Sequence, residues 1–232
     1  MEGIPVVEGE YCDISHTGEG LHLGRIYLVR HGRTQWNRDK VFRGMAEVPL
    51  DEMGREQARA IAGGISDGLT AILTSPVGRA METAAIAAGE MGGPEPRVVD
   101  GLRDIDFGVL QGVSKEEACR RFPGVMEKWR SRPQDVRFPQ GERLEEVAGR
   151  AWASLVALAR EHRDGRVMAV SHRVVIKVLL LKAMGAGLES FWRIRQDTAC
   201  INVLDFGDEE FWVRRVNDTC HLKGLGPGRV DF

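Results

Sequence analysis

Hydrophobic positions along the chain fall into short apolar runs separated by longer amphipathic stretches. The segment Arg25-Ile26-Tyr27-Leu28-Val29 is rich in β-branched and aromatic side chains, is too short for a helix and is stopped by Gly32, so it predicts a buried strand. From Asp51, a reasonable N-cap, the spacing of Met53, Ala58, Ala60-Ile61-Ala62 and Ile65 predicts a helix, with Gly68 as the stop. A strand over 71–74, a helix from Val77 to Ala88, a loop over 90–96 and a short edge strand at Arg97-Val98-Val99 follow. Residues 114–131 read as helical segments around Phe122-Pro123-Gly124, and a long helix runs from Glu142 to about His162. The run 166–170 is a second buried strand. Residues 173–184 are so apolar that they predict a buried helix. Strands near 199–206 and 210–216 close the chain as an antiparallel hairpin about Gly207-Asp208-Glu209. Strands alternating with helices define an α/β protein, a three-layer α/β/α sandwich with a mixed, mainly parallel sheet.

This pattern places chemistry at strand ends. Arg30 and His31 end the first strand, Ser171, His172 and Arg173 end the 166–170 strand, and Arg79 follows the 71–74 strand through Ser75-Pro76. In open α/β sheets ligands bind at the carboxyl ends of strands, and Gly32 would let backbone N–H groups approach an anion. Arg79 lies in the first turn of its helix, where free N–H groups favour an anion and a cation is unfavourable without one. A pair of arginines and a pair of histidines is a set suited to binding a phosphoryl group and attacking it.

Composition narrows the classes. The net charge of −2 supplies no global basic field for nucleic acid or anionic membrane. No run approaches a membrane span, and the N-terminus lacks a basic flank before an apolar core, so the expected setting is cytoplasmic. Cys12, Cys119, Cys200 and Cys220 are scattered, unlike a disulfide framework. Residues 1–23 read as an extension ahead of one domain over 24–232. Within it Cys12, His16 and His22 match no common zinc spacing, so no metal or cofactor is expected.

Between about 24 and 222 the chain resembles the histidine phosphatase superfamily, also called phosphoglycerate-mutase-like. The resemblance rests on Leu28-Val29-Arg30-His31-Gly32, Phe42-Arg43-Gly44, Pro49-Leu50 with Gly54, Thr74-Ser75 with Arg79-Ala80 and Thr83-Ala84, Leu102-Arg103-Asp104 with Phe107-Gly108, Gly141-Glu142, Val170-Ser171-His172, and Asn217-Asp218 with His221-Leu222. It implies a phosphatase in which His31 is the nucleophile, Arg30, Arg79 and His172 bind the phosphoryl group, and Asp104 is the proton donor. Asp106 is the local competitor of Asp104. It also implies that Gly32, Thr34, Asn37 and Arg43 border the substrate and that Glu142 lies near the pocket. Trp129 is a candidate pocket wall; Lys128, Arg130, Arg132 and Arg137 form either a solvated face or a lid for an anionic substrate. Arg150 is a candidate partner of Glu146.

Three departures bear on the substrate. Asp104 stands where the family usually has Glu. Arg33 stands where many relatives have an acidic residue, which could favour a more anionic substrate; Arg173-Val174 replace two glycines. The expected substrate is a small phosphate ester, with phosphoserine, phosphoglycerates, sugar phosphates and alpha-ribazole phosphate among the options, the last hinted at by Leu102 to Gly108. One alternative is a cofactor-dependent phosphoglycerate mutase, against which stands the short connection between Gly112 and Glu142. Another is a non-catalytic binding protein. Dimers are common among such proteins, which makes a homodimer the assembly to test.

Overall fold

The structure is a computed structural model that describes residues 24–66, 68–207 and 210–225. The expectations for the extension 1–23 and for Cys12, His16 and His22 lie outside the described residues, as do 208–209 at the hairpin turn. A six-stranded sheet comprises β1 (Gly24–Arg30), β2 (Ala71–Thr74), β3 (Arg97–Val98), β4 (Arg166–Ser171), β5 (Ile201–Gly207) and β6 (Glu210–Asp218) in the order β3-β2-β4-β1-β5-β6. The pairs among β3, β2, β4 and β1 are parallel, while β5 is antiparallel to both β1 and β6. Helices cover both faces, as the alternation of elements predicts.

The period of two sorts the side chains between those faces. Ile26 and Leu28 of β1, with Val167 and Ala169 of β4, pack on the side of α6 (Leu144–Glu161) and α7 (Arg173–Ala183). Tyr27, Val29, Met168 and Val170 pack on the opposite side, beneath α3 (Gly78–Met91). All of Arg173 to Leu181 in α7 is buried, so this helix is central. Each fully buried Leu or Ile contributes about 1.5–3 kcal/mol relative to exposure.

Element ends depart from expectation where glycines or backbone geometry intervene. Asp51 does cap α2 (Glu52–Ala60), its Oδ1 accepting from the Gly54 amide at 2.8 Å, but the helix ends at Ala60 and a 3-10 turn over Ile61–Gly64 replaces its predicted last turns. The last residue of this turn, Gly64, packs closely on β5: a Cβ there would lie 2.5 Å from Ile201 Cδ1, which would have to move aside. Conversely α3 runs beyond Ala88 to Met91, where Gly92 turns left-handed with φ +59° and donates to Ala88 and Gly89. β5 starts at Ile201 because Ala199 is left-handed, with φ +55°. Along the chain, α4 (Lys115–Arg121) and α5 (Pro123–Ser131) come between β3 and α6.

Trp129 on α5 is a core residue and not a pocket wall. It is 2% exposed, and its ring lies 5.1 Å from those of Phe138 and Phe191 and 5.2 Å from that of Trp192. Within the basic stretch around it, Arg132 meets Asp135 at 2.6 Å and Arg137 meets Glu146 at 2.5 Å.

Candidate active site

Strand register assembles the site. Arg30 pairs with Ser171 across the parallel β1–β4 ladder, and the His31 amide donates to the Ser171 carbonyl at 3.0 Å, so the next residues, His31 and His172, lie side by side with ring centroids 5.2 Å apart. Thr74 pairs with Val170 on the other flank of β4, which brings Ser75 and the start of α3 to the same edge. The five residues that the motifs nominate for catalysis meet here. Arg30, Arg79 and His172 are 0% exposed, His31 is 1% and Asp104 is 5%.

His31 Nδ1 lies 2.7 Å from the Gly32 carbonyl. A carbonyl only accepts, so Nδ1 carries the proton and Nε2 keeps its lone pair. That lone pair accepts from Arg79 Nε at 3.3 Å. Burial first, then the charges of Arg79, Arg30 and Arg43, hold the His31 pKa well below its ordinary value, so the ring is neutral.

His172 has the opposite tautomer. Arg79 Nη2 reaches its Nδ1 at 3.2 Å and can only donate, so the proton sits on Nε2 and goes to Ser75 Oγ at 2.7 Å. Burial, followed by the charges of Arg79, Arg43 and Arg30, keeps this ring neutral too. Donation from Nδ1 to a phosphoryl group therefore requires a proton gain or a tautomer exchange. The Ser75 hydroxyl, able to donate as well as accept, permits either.

Arg79 sits at the centre. Its guanidinium also donates to the carbonyls of Ala46 at 3.0 Å and Gly44 at 2.7 Å, and to Asp104 Oδ2 at 2.9 Å. Asp104 Oδ1 accepts from the Ile105 amide at 2.9 Å, and Oδ2 is 3.6 Å from His172 Nδ1. Asp106 is committed elsewhere, its carboxylate accepting from the Gly108 amide at 2.7 Å. Arg30 donates to the Gln196 carbonyl at 2.7 Å and Arg43 to the Trp36 carbonyl at 3.2 Å.

The other nominated residues have local duties. The Gly32 amide donates to Thr83 Oγ1 at 3.0 Å, and a Cβ on Gly32 would lie 2.4 Å from the Gly54 carbonyl, so this glycine permits the close approach of α2. Both the amide and the hydroxyl of Thr34 donate to Asn37 Oδ1 at 2.9 Å. Arg33 forms an ion pair with Asp51 at 2.8 Å, so its charge is spent at the α2 N-cap and not on a more anionic substrate. Arg173 places its guanidinium 5.9 Å from the Trp192 ring centre.

Motif reading did not give Ser75 or Gln196 a role, and it paired Arg150 with the wrong acid: its partner is Glu142, at 2.9 Å. Ser75 was legible in principle, as a hydroxyl at a strand end facing two other strand ends. Gln196 acts through its carbonyl oxygen, which no side-chain pattern reports. Among the described residues no group of three or more His, Cys, Asp or Glu could hold a metal ion. Nor is any helix there long and apolar enough to cross a membrane.

Residues 26–219 match the histidine phosphatase superfamily (branch 1), and the chain belongs to that family. It is similar to phosphoserine phosphatase 1 of Hydrogenobacter thermophilus, 30% identical over 199 residues that cover 85% of this chain and 94% of that protein. A probable phosphoglycerate mutase GpmB of Enterobacter is 30% identical over 207 residues, covering 85% of this chain and 94% of its own. Among solved structures, Bacillus stearothermophilus YhfR superposes with a TM-score of 0.81 at 29% identity, covering 86% of this chain and 100% of that one. The protein is thus a phosphatase of the histidine phosphatase superfamily, with the α/β fold of its phosphoglycerate-mutase-like members.

Proposed function

We propose that the protein hydrolyses small phosphate monoesters in two displacements through a phosphohistidine at His31. One observation carries the reading: the Gly32 carbonyl fixes the Nδ1 proton, so that a neutral Nε2 lone pair faces Arg79 in a buried cationic site. In the first step Nε2 attacks phosphorus, the bond to the ester oxygen breaks, and Asp104, entering as the acid, gives its proton to the departing alkoxide. In the second, water attacks phosphorus, the phosphorus–nitrogen bond breaks with its electron pair returning to Nε2, Asp104 takes the water proton, and phosphate leaves with His31 restored. Arg30, Arg79 and Arg43 offset the charge of the transferring group, the main source of acceleration in phosphoryl transfer.

The substrate class is a small phosphomonoester, with phosphoserine, phosphoglycerates, sugar phosphates and alpha-ribazole phosphate as the compounds to compare. Phosphoserine is favoured by the relative from Hydrogenobacter. Mutase turnover is the second reading, because a probable mutase is equally similar; against it stands the short connection between Gly112 and Glu142, which holds α4, α5 and a 3-10 turn over Pro133–Asp135. Arg30, His31, Arg79 and His172 are all present, which argues against a silent binding protein.

The test is phosphate release from this panel with chelator present, with isomerisation of 3-phosphoglycerate followed in parallel. Selective release from one compound, abolished by His31→Ala, is expected. Isomerisation dependent on a bisphosphate primer, without release, would make the mutase reading the right one. Near-wild-type activity of His31→Ala would end the phosphohistidine scheme.

A further inference from the structure

The segment carrying Asp104 has almost no secondary structure of its own, only a 3-10 turn over Asp100–Leu102, so its backbone polar groups must find partners elsewhere. One ion pair supplies several of them. Arg150, on α6, donates through Nη1 to the carbonyls of Gly101 at 3.0 Å and Arg103 at 2.8 Å, and through Nη2 to that of Asp104 itself at 2.9 Å. Its Nε and Nη2 also engage Glu142 Oε1 and Oε2, both at 2.9 Å. Glu142 Oε2 in turn accepts from the Asp106 amide at 3.0 Å.

Both partners are mostly buried, their side chains 14% and 18% exposed. Burial acts to raise the Glu142 pKa, but hydrogen bonds from Arg150 and the Asp106 amide, and the charges of Arg150 and Arg103, outweigh it and keep the carboxylate ionised. The approach is close enough that a Cβ on Gly101 would lie 2.9 Å from the Arg150 carbonyl and collide with Ser154. The hydrogen bonds of Arg150 go to Glu142 and the loop carbonyls, and its charge is felt at His172.

We infer that Arg150 and Glu142 are positioning residues for the acid step: they hold the loop backbone so that the Asp104 carboxyl stands at the leaving-group side of Arg79. The inference rests on Asp104 being the proton donor. Aspartate has only two side-chain torsions, so its backbone largely sets where its carboxyl sits. A displacement of about 1 Å at a reacting group can cost about 100-fold in rate.

The experiment compares kcat/KM, which reports phosphoryl transfer onto His31, for p-nitrophenyl phosphate and for an alkyl phosphate. The aryl leaving group departs without a proton; the alkoxide needs one. Arg150→Met, Arg150→Lys and Glu142→Gln are measured beside Asp104→Asn, with melting temperatures to confirm folding. Arg150→Met is expected to lose about 10-fold to about 100-fold on the alkyl ester and less than about 3-fold on the aryl ester, to lose nothing further in combination with Asp104→Asn, and to be partly rescued in Arg150→Lys. Should Arg150→Met not fold, Glu142→Gln carries the test with the same selectivity.

Equal loss on both esters, or loss that adds fully to that of Asp104→Asn, would overturn the inference while the acid reading stands. If Asp104→Asn itself spares the alkyl ester, the acid reading falls and this inference falls with it.

Discussion

Burial of two neutral imidazoles makes the folded state sensitive to mild acid. His31 and His172 are at most 1% exposed, and burial, then the Arg79 charge, holds both pKa values well below the ordinary 6.5. Across that window the unfolded chain binds more protons than the native state, so stability rises with pH and is lost as pH falls below about 6.5. Between pH 7 and pH 5 each unfolded imidazole gains about 2 kcal/mol from protonation, and the pair therefore costs the native state about 4 kcal/mol. Total stabilities are only about 5–15 kcal/mol. Carboxylates with lowered pKa values, such as Glu142 and Asp218, add their losses at more acid pH. The assay is urea unfolding at pH 7, 6 and 5 of the wild type and of the double variant His31→Gln, His172→Gln. His221, whose pKa is also lowered by burial, is common to both proteins and cancels in the comparison. The wild type is expected to lose about 4 kcal/mol more than the variant. Losses equal within about 1 kcal/mol would show that the folded site takes up protons freely, and the neutral-imidazole reasoning would be wrong.

Arg79→Lys keeps the charge but not the planar fork, and kcat is expected to fall by at least about 100-fold, the loss of roughly two charge-assisted bonds at 1.5 kcal/mol or more each; activity within about 3-fold of wild type would show that charge alone suffices. Gly108→Ala is expected to cost at least about 2 kcal/mol in denaturant unfolding, because φ is +53° there and a Cβ would lie 2.0 Å from the Pro139 carbonyl. Its control, Gly124→Ala in α5, meets nothing within 4 Å and is expected to be neutral or stabilising by about 0.5–1 kcal/mol.

The strands, and the meeting of the candidate site residues at their ends, were legible because buried strands are short and apolar, and the residues ending them are strongly polar. Arg30-His31 and Ser171-His172 each follow such a run, and parallel pairing of the two runs suffices to bring the histidines together. What the pattern could not carry was partner choice. Arg33 resembles a free pocket cation in the sequence, yet Asp51, which begins the next helix, takes its charge. Trp129 resembles a pocket wall, yet its ring is enclosed by Phe138, Phe191 and Trp192, from segments near and far along the chain. Arg150 stands four residues after Glu146, the spacing of a helical ion pair, but binds Glu142, which precedes the helix, and three loop carbonyls that leave no trace in a side-chain pattern.

The partners of Arg79 bear on how the proposed reaction would begin. Of its five N–H donors, one goes to the Ala46 carbonyl and one to that of Gly44. Those backbone carbonyls, in the loop that follows Arg43, hold the plane of the guanidinium independently of the phosphoryl group. Nε–H points at the His31 lone pair, while Nη2, one of whose hydrogens goes to Gly44, shares the other between Asp104 and His172. In the proposed reaction an arriving phosphoryl group would compete for these latter donors and leave the plane unchanged, so the guanidinium need not reorganise as charge shifts. The exchange also removes the Asp104 carboxyl's side-chain partner as the ester oxygen arrives, and the carboxyl's position then depends on its backbone. That dependence is why support of the loop by Arg150, remote from phosphorus, should register in the chemistry of the leaving group.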